Sequence, residues 1–185
     1  MKRVTAALLG FIAVFNPLES LSDSKFKPFE AESNTNHQHH IELARAAVAT
    51  GVEFRINPPM CDRENALGWY WAAENELVVC QEDKMIGSSL EVDWTEGDYD
   101  TLRHEAHHLV QDCMARENRD GHLGAVYEDP IGLSNDILGR SAMSQIAYVY
   151  RDRDDHTIVM EFEAFSVARM NDPLEQVEDI KKYCM

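Results

Sequence analysis

The sequence predicts an α+β fold, in which a small antiparallel or mixed sheet packs on one long helix and a helical C-terminal half follows. Three short strand-like segments lie in the first half of the chain, at residues 52–56, 67–73 and 76–81. Three segments with helical periodicity, residues 141–150, 157–170 and 173–183, occupy the last third. The length suits a single domain with a sizeable core, which we place at residues 37–185.

Residues 1–20 are typical of a signal peptide. Lys2 and Arg3 precede an apolar run, residues 4–15, that is too short to span a bilayer as a stable anchor. We therefore expect an exported protein, secreted or periplasmic, with no stable membrane anchor after processing. The alternative is an N-terminal hydrophobic helix that is retained. The polar residues 21–36 predict a linker.

The first helix is predicted at residues 41–50, with Gly51 as its C-terminal cap. A short histidine-rich patch, His37, His39 and His40, precedes it. We expect these side chains to be solvated at the start of the helix, with weak metal binding as the alternative.

Of the three predicted strands, the first ends at Asn57, and the other two are joined by a turn at Glu74 and Asn75. Residues 83–97 are acidic and predict a loop. Residues 117–139 contain four glycines and little periodicity, which favours a surface loop of the kind that borders a cleft. Pro173 suits the first turn of the last predicted helix.

The chain carries a formal net charge of −16 and four cysteines. Such acidity argues against nucleic acid or an anionic membrane surface as a partner. An even number of cysteines suits an oxidising compartment. We predict the pairs Cys61–Cys80 and Cys113–Cys184. A cysteine zinc site is disfavoured because no Cys-x-x-Cys occurs.

The central feature is residues 100–113, where His104, Glu105 and His108 form the pattern His-Glu-x-x-His. On a helix the two histidines lie about 40° apart, so both rings can reach one ion, and Glu105 can reach a water on it. We expect Asp100 or Thr101 to cap this helix. The apolar residues fall on the opposite side: Leu102, Ala106, Leu109, Val110 and Cys113.

The alternative is a surface helix with solvated histidines. His107 also lies within reach of His104 but points away from Glu105, and we expect it to be a flanking, partly exposed residue.

Zinc in a hydrolytic site takes a third protein ligand and leaves a position for water. The downstream candidates are His122, His156, Glu161 and Glu163. We favour Glu163, because its helical face holds Val159, Met160, Val167 and Met170, and a buried carboxylate needs a cation. Glu161 lies about 160° away and is the alternative ligand. In a further reading neither glutamate binds metal and one pairs with an arginine.

The His104–His108 motif with a downstream Glu163-Ala164-Phe165-Ser166 resembles the gluzincin metallopeptidases, and the small chain is most similar to the minigluzincins. This resemblance implies one Zn²⁺, a peptide or protein substrate, and a substrate-binding edge strand ahead of the motif helix, for which residues 76–80 are the natural candidate.

We therefore expect a secreted zinc peptidase in which His104, His108 and Glu163 hold the metal and Glu105 is the general base. His156, Tyr148 or Tyr150 could supply a second donor to the scissile carbonyl. The alternative is an exported metal-binding or interaction protein without catalysis.

Overall fold

The computed structural model describes residues 33–63, 66–118 and 123–185, with helices and a mixed three-stranded sheet. The helices are α1 (Ser33–Ala49), α2 (Glu96–Asn118), α3 (Pro130–Ile137), α4 (Gly139–Val149), α5 (Asp155–Met170) and α6 (Pro173–Cys184). The strands are β1 (Glu53–Ile56), β2 (Gly68–Trp71) and β3 (Glu76–Val79). The predicted α+β class with a small mixed sheet is confirmed.

The predicted signal peptide and residues 21–32 of the predicted linker lie outside the described residues. Residues 33–36, the last four of the predicted linker, belong to α1, which begins well before the expected residue 41. Among the described helices, none combines the length and apolar character needed to cross a membrane.

Strand β3 lies in the middle of the sheet, parallel to β1 and antiparallel to β2. Leu77 at its centre pairs with Phe54 on one side and Tyr70 on the other. The expectation that residues 76–80 form the substrate-binding edge strand is therefore wrong, since both edges of β3 are already paired. The edges of this sheet are β1 and β2.

One face of the sheet is buried in the main core and the other is covered only in part, and the period-2 alternation of β3 assigns side chains to each. Leu77 and Val79 join the main core with α1, α2 and α6. Val78 packs on the other side with Trp69 and the Cys61–Cys80 disulfide. The sheet thus forms a layer against which the motif helix is held.

The motif helix α2 begins earlier than predicted, because Thr95 and Asp98 cap each other. The Asp98 N–H donates to Oγ1 of Thr95 (3.1 Å), and the Thr95 N–H donates to Oδ2 of Asp98 (2.8 Å). This reciprocal pair is a capping box, and the spacing Thr-x-x-Asp is its signature in the sequence. Asp100 and Thr101 consequently lie inside the helix rather than at its cap.

The C-terminal half is helical as predicted, with one helix more than expected. Residues 130–137 lie in the predicted loop but form α3, which starts with Pro130 and is capped by the Asp129 side chain accepting from the Gly132 N–H. Helices α3, α4 and α5 share a second apolar cluster around Ile146 and Phe162. Helix α5 also packs closely on α2, which brings its side chains to the motif.

Both predicted disulfides are present. Cys61 and Cys80 join the segment after β1 to the end of β3, and Cys113 and Cys184 join α2 to α6. Their Cα atoms are 5.6 and 5.3 Å apart, which is the usual range. Two disulfides in a chain of this size favour an oxidising environment.

Candidate metal centre

Helices α2 and α5 bring His104, His108 and Glu161 together inside the fold. The Nε2 atoms of the two rings are 3.0 Å apart. Oε2 of Glu161 lies 3.2 Å from Nε2 of His104, and Oε1 lies 3.6 Å from Nε2 of His108. One ligand atom from each residue falls within 4.8 Å of the others, so this group could hold a metal ion. We call it the His-His-Glu cage.

The geometry of the cage fits a small divalent ion. Bonds of about 2.0–2.1 Å in tetrahedral coordination place neighbouring ligand atoms about 3.3 Å apart. The observed separations of 3.0 to 3.6 Å bracket that value. Two imidazoles and one carboxylate are also the donor set of known catalytic zinc sites.

The electrostatics of the cage favour a positive charge at its centre. Burial alone would raise the pKa of Glu161, but the charge of His108 and hydrogen bonds to both histidines outweigh it and lower that pKa to about 2. Burial opposes a charged His108, yet its interactions with Glu161 raise its pKa to about 9. Burial lowers the pKa of His104 to about 4.

Glu105 lies beside the cage with its carboxylate fully buried. Burial raises its pKa to about 8, and neighbouring Glu161 adds to that rise while His108 opposes it. The backbone N–H of Tyr70 in β2 is close enough to lower this pKa slightly, although neither carboxylate oxygen has a well-formed hydrogen bond. Glu105 is thus a buried carboxyl group available for proton transfer.

Glu163, the predicted third ligand, lies outside the cage, where Glu161 takes the expected position. Oε1 of Glu163 is 2.8 Å from Nε2 of His107 and accepts the N–H of Val126 at 2.9 Å. The partners of this buried carboxylate are thus a histidine ring and backbone N–H groups.

The sequence argument for Glu163 failed because α5 is buried on nearly every side. Both glutamates are at most 2% exposed, as is Met160 on the face of Glu163. Ala164 and Ala168, on the side of Glu161, are buried as well. An apolar setting therefore did not distinguish the two carboxylates. Among the described ion pairs, Glu161 and Glu163 both lie against histidines rather than an arginine.

The histidines of α2 are interior residues. His107 is 1% exposed, so the expectation that it is partly exposed is wrong. The same burial of His104 and His108 rules out a surface helix with solvated histidines. In α1, His40 is also buried, and its ring stacks on Tyr99 with centroids 4.2 Å apart.

Two residues near the site were missed by sequence reasoning. Gln111 contacts Nδ1 of His108 through its Oε1 at 2.7 Å, and its position one turn after the histidine is the signal that could have found it. Gly68 in β2 is pressed against α2, where an added Cβ would lie 2.6 Å from Cγ2 of Thr101 and 3.4 Å from Cγ of Glu105. Nothing in the local sequence marks Gly68.

The three candidate second donors differ in their exposure and in their contacts. Tyr148 is 68% exposed, with Arg151 over its ring. His156 is exposed, and its Nε2 contacts the carbonyl of Leu123 at 2.6 Å. Tyr150 is buried, and its pKa is raised well above the usual value by burial and by Glu161, to which it hydrogen-bonds. Of the three, Tyr150 is therefore the one that lies beside the cage. His122 lies outside the described residues.

The described residues enclose the site closely. His104, Glu105, His108 and Glu161 are each 2% exposed or less. The ring of Phe165 packs on His104 with centroids 4.3 Å apart. A small cavity beside His108 and Glu161 is lined by Tyr70, Ala72, Leu123, Thr157 and Met160.

Comparisons with protein-family models, with curated proteins and with solved structures gave no match. The functional argument therefore depends on the geometry and chemistry of the cage itself.

Proposed function

We propose that the protein is a zinc-dependent peptidase with a zincin-like site, in which His104, His108 and Glu161 hold the metal and Glu105 is the general base. The observation that supports it is the convergence of three ligand atoms from α2 and α5 within 4.8 Å, with a buried carboxyl group beside them. The donor set and its spacing are those of catalytic zinc. Export of such an enzyme agrees with its disulfides.

A zinc ion held by His104, His108 and Glu161 would supply Lewis-acid chemistry. Glu105 would take up a proton from the attacking water and later deliver it to the leaving amine. Its burial supports this role, because burial raises the pKa of the carboxyl group to about 8 and a neighbouring cation lowers it again, towards the range useful for proton transfer near neutral pH.

Tyr150 is the residue we assign as second donor. Its buried hydroxyl hydrogen-bonds to Glu161, which places it next to the cage. A phenol whose pKa is raised stays protonated at neutral pH and can donate a hydrogen bond to developing negative charge. We infer that a peptide substrate would lie along the edge strand β2; the support is that the backbone N–H of Tyr70 in this strand faces Glu105.

The test is a comparison of the zinc-loaded protein with its Glu105→Gln variant on a broad peptide library. We expect the parent to cleave peptides and the variant to lose at least a hundred-fold in kcat while it keeps one zinc per chain. Equal turnover of the two proteins would refute the role of Glu105. Absence of cleavage by the loaded parent would refute the peptidase function.

A second candidate function is an exported metal-binding protein without catalysis. The observation that favours it is enclosure, since all four side chains of the site are at most 2% exposed. Stoichiometric zinc without any cleavage across the library would support this function over the first.

A further inference from the structure

We propose that Gln111 is the positioning residue of the metal site: it fixes the ring and the tautomer of His108, and the buried His107–Glu163 pair in turn holds Gln111. This inference depends on the proposed metal site and adds the means by which the chain orients one of its ligands. None of the three supporting residues is a ligand, and each is at most 1% exposed.

The orientation of the Gln111 amide follows from its neighbours. Its Nε2 lies 3.1 Å from the carbonyl oxygen of Met160 and 3.3 Å from Oε1 of Glu163. Both partners only accept, so this atom must be the amide nitrogen. The other amide atom, 2.7 Å from Nδ1 of His108, is then the oxygen.

An oxygen at that position fixes the proton on His108. Because the amide oxygen can only accept, Nδ1 of His108 must carry the hydrogen and donate it. The lone pair of the neutral ring is then on Nε2, the atom that faces His104 and Glu161. The second contact of a ligating histidine ordinarily decides the ring nitrogen that binds a metal and the direction in which it points.

The His107–Glu163 pair limits the positions open to Gln111. Oε1 of Glu163 accepts hydrogen bonds from the His107 ring, the Gln111 amide and the Val126 N–H. The Tyr127 N–H donates to Oε2 at 3.4 Å. Since a carboxylate with several donors is held in place, the amide nitrogen of Gln111 is directed away from His108. The buried Glu163 thus acts on the site through Gln111 rather than as a ligand.

Of the two cage histidines, only His108 has a hydrogen-bond partner at Nδ1. Nδ1 of His104 is buried without a hydrogen-bond partner, and this ring is packed on Phe165 instead. The loss of Gln111 should therefore affect the metal site through His108 alone.

The experiment compares Gln111→Met with the parent and with Gln176→Met as matched control. Gln176 is an equally buried glutamine in α6. It donates to the Arg103 carbonyl of α2, and its described hydrogen bond does not involve a ligand side chain. Zinc affinity is measured by competition with a metal-binding dye. Cobalt(II) is substituted for zinc, and its visible spectrum reports ligand geometry. Thermal melting of the metal-free proteins verifies folding.

We expect Gln111→Met to bind zinc 10 to 100-fold more weakly and to change the cobalt spectrum, as the loss of an orienting partner ordinarily does. The control should stay within about two-fold of the parent and keep its spectrum. Parent-like affinity and spectrum in Gln111→Met would overturn the inference, and so would an equal loss in the control. Zinc binding by the parent without peptide cleavage would defeat the proposed peptidase while leaving this inference standing.

A second measurement needs no variant. Nitrogen-15 NMR of the imidazoles in the zinc-loaded parent should show His108 with its proton on Nδ1 and that proton slow to exchange. A His108 protonated on Nε2, with the metal on Nδ1, would contradict the assignment even if Gln111→Met fails to fold.

Discussion

Oε2 of Glu161 lies 3.2 Å from Nε2 of His104, and both side chains are buried. This contact joins the middle of α5 to the motif of α2. It distinguishes Glu161 from Glu163, which is two residues further along the same helix and bonds to His107 instead. The two glutamates consequently have separable roles that substitution can test.

Glu161→Gln should abolish stoichiometric zinc binding, whereas Glu163→Gln should retain it. The first change removes a charged ligand from the cage, and the second removes a carboxylate that is not part of it. Zinc per chain after exhaustive dialysis is the measurement. The assignment would have to return to Glu163 if that variant lost its zinc while Glu161→Gln kept it.

Gly68→Ala should destabilise the fold by about 1–3 kcal/mol, because the new methyl group would meet Cγ2 of Thr101 and the Val78 carbonyl, each at 2.6 Å. Relief of these two overlaps would move β2 relative to α2, which carries Glu105, so kcat should fall in the same variant. Urea unfolding gives the stability change. Gly68→Ala with Thr101→Ser should recover part of the loss, because the serine lacks Cγ2. No recovery in the double variant would argue against contact with α2.

The free energy of unfolding should fall as the pH decreases from 6.5 towards 4, partly because of His40. Burial lowers the pKa of this ring from 6.5 to about 4. Between these values the unfolded chain binds a proton that the folded chain does not, so acid favours unfolding. From pH 7.0 to pH 5.5 the contribution is about 1 kcal/mol.

His40→Leu removes this titration while the other groups remain. The stability difference between pH 7.0 and pH 5.5, measured by urea unfolding, should be about 1 kcal/mol smaller in the variant than in the parent. The same pH dependence in both proteins would show that His40 is not responsible.

Loss of the Cys113–Cys184 bond should cost more stability than loss of Cys61–Cys80. The bonds close loops with sequence separations of 71 and 19 residues, and loop entropy gives upper values of roughly 4 and 3 kcal/mol. Paired Cys→Ala variants, compared by chemical denaturation, measure both. A larger loss for the shorter loop would indicate that strain or packing outweighs chain entropy.

The local features of this chain were predictable because each depends on a short stretch of sequence. Helical spacing placed two of the three cage residues, His104 and His108, and it placed Glu105 beside them. Alternation identified β1 and the β2–β3 hairpin. Both cysteine pairings were also correct.

The errors concern features that only tertiary packing decides. The choice between Glu161 and Glu163 depended on the side of α5 that meets α2, and burial on both sides left the apolar pattern uninformative. The central place of β3 depends on strand order, which alternation does not encode. Helix α3 has only eight residues, too few for a clear period, although Asp129 and Pro130 mark its start.

Helix α2 contacts α1, α5, α6, β2 and β3, so the motif lies on the element with the most neighbours among the described helices and strands. Such an element opens only when much of the domain opens with it. An ion held among side chains that solvent hardly reaches would therefore leave slowly. Isotopically labelled zinc in the medium should exchange into the protein no faster than the deepest backbone amides of α2 exchange their hydrogens, so the lifetime of the loaded state would be set by the fold as well as by the ligand bonds.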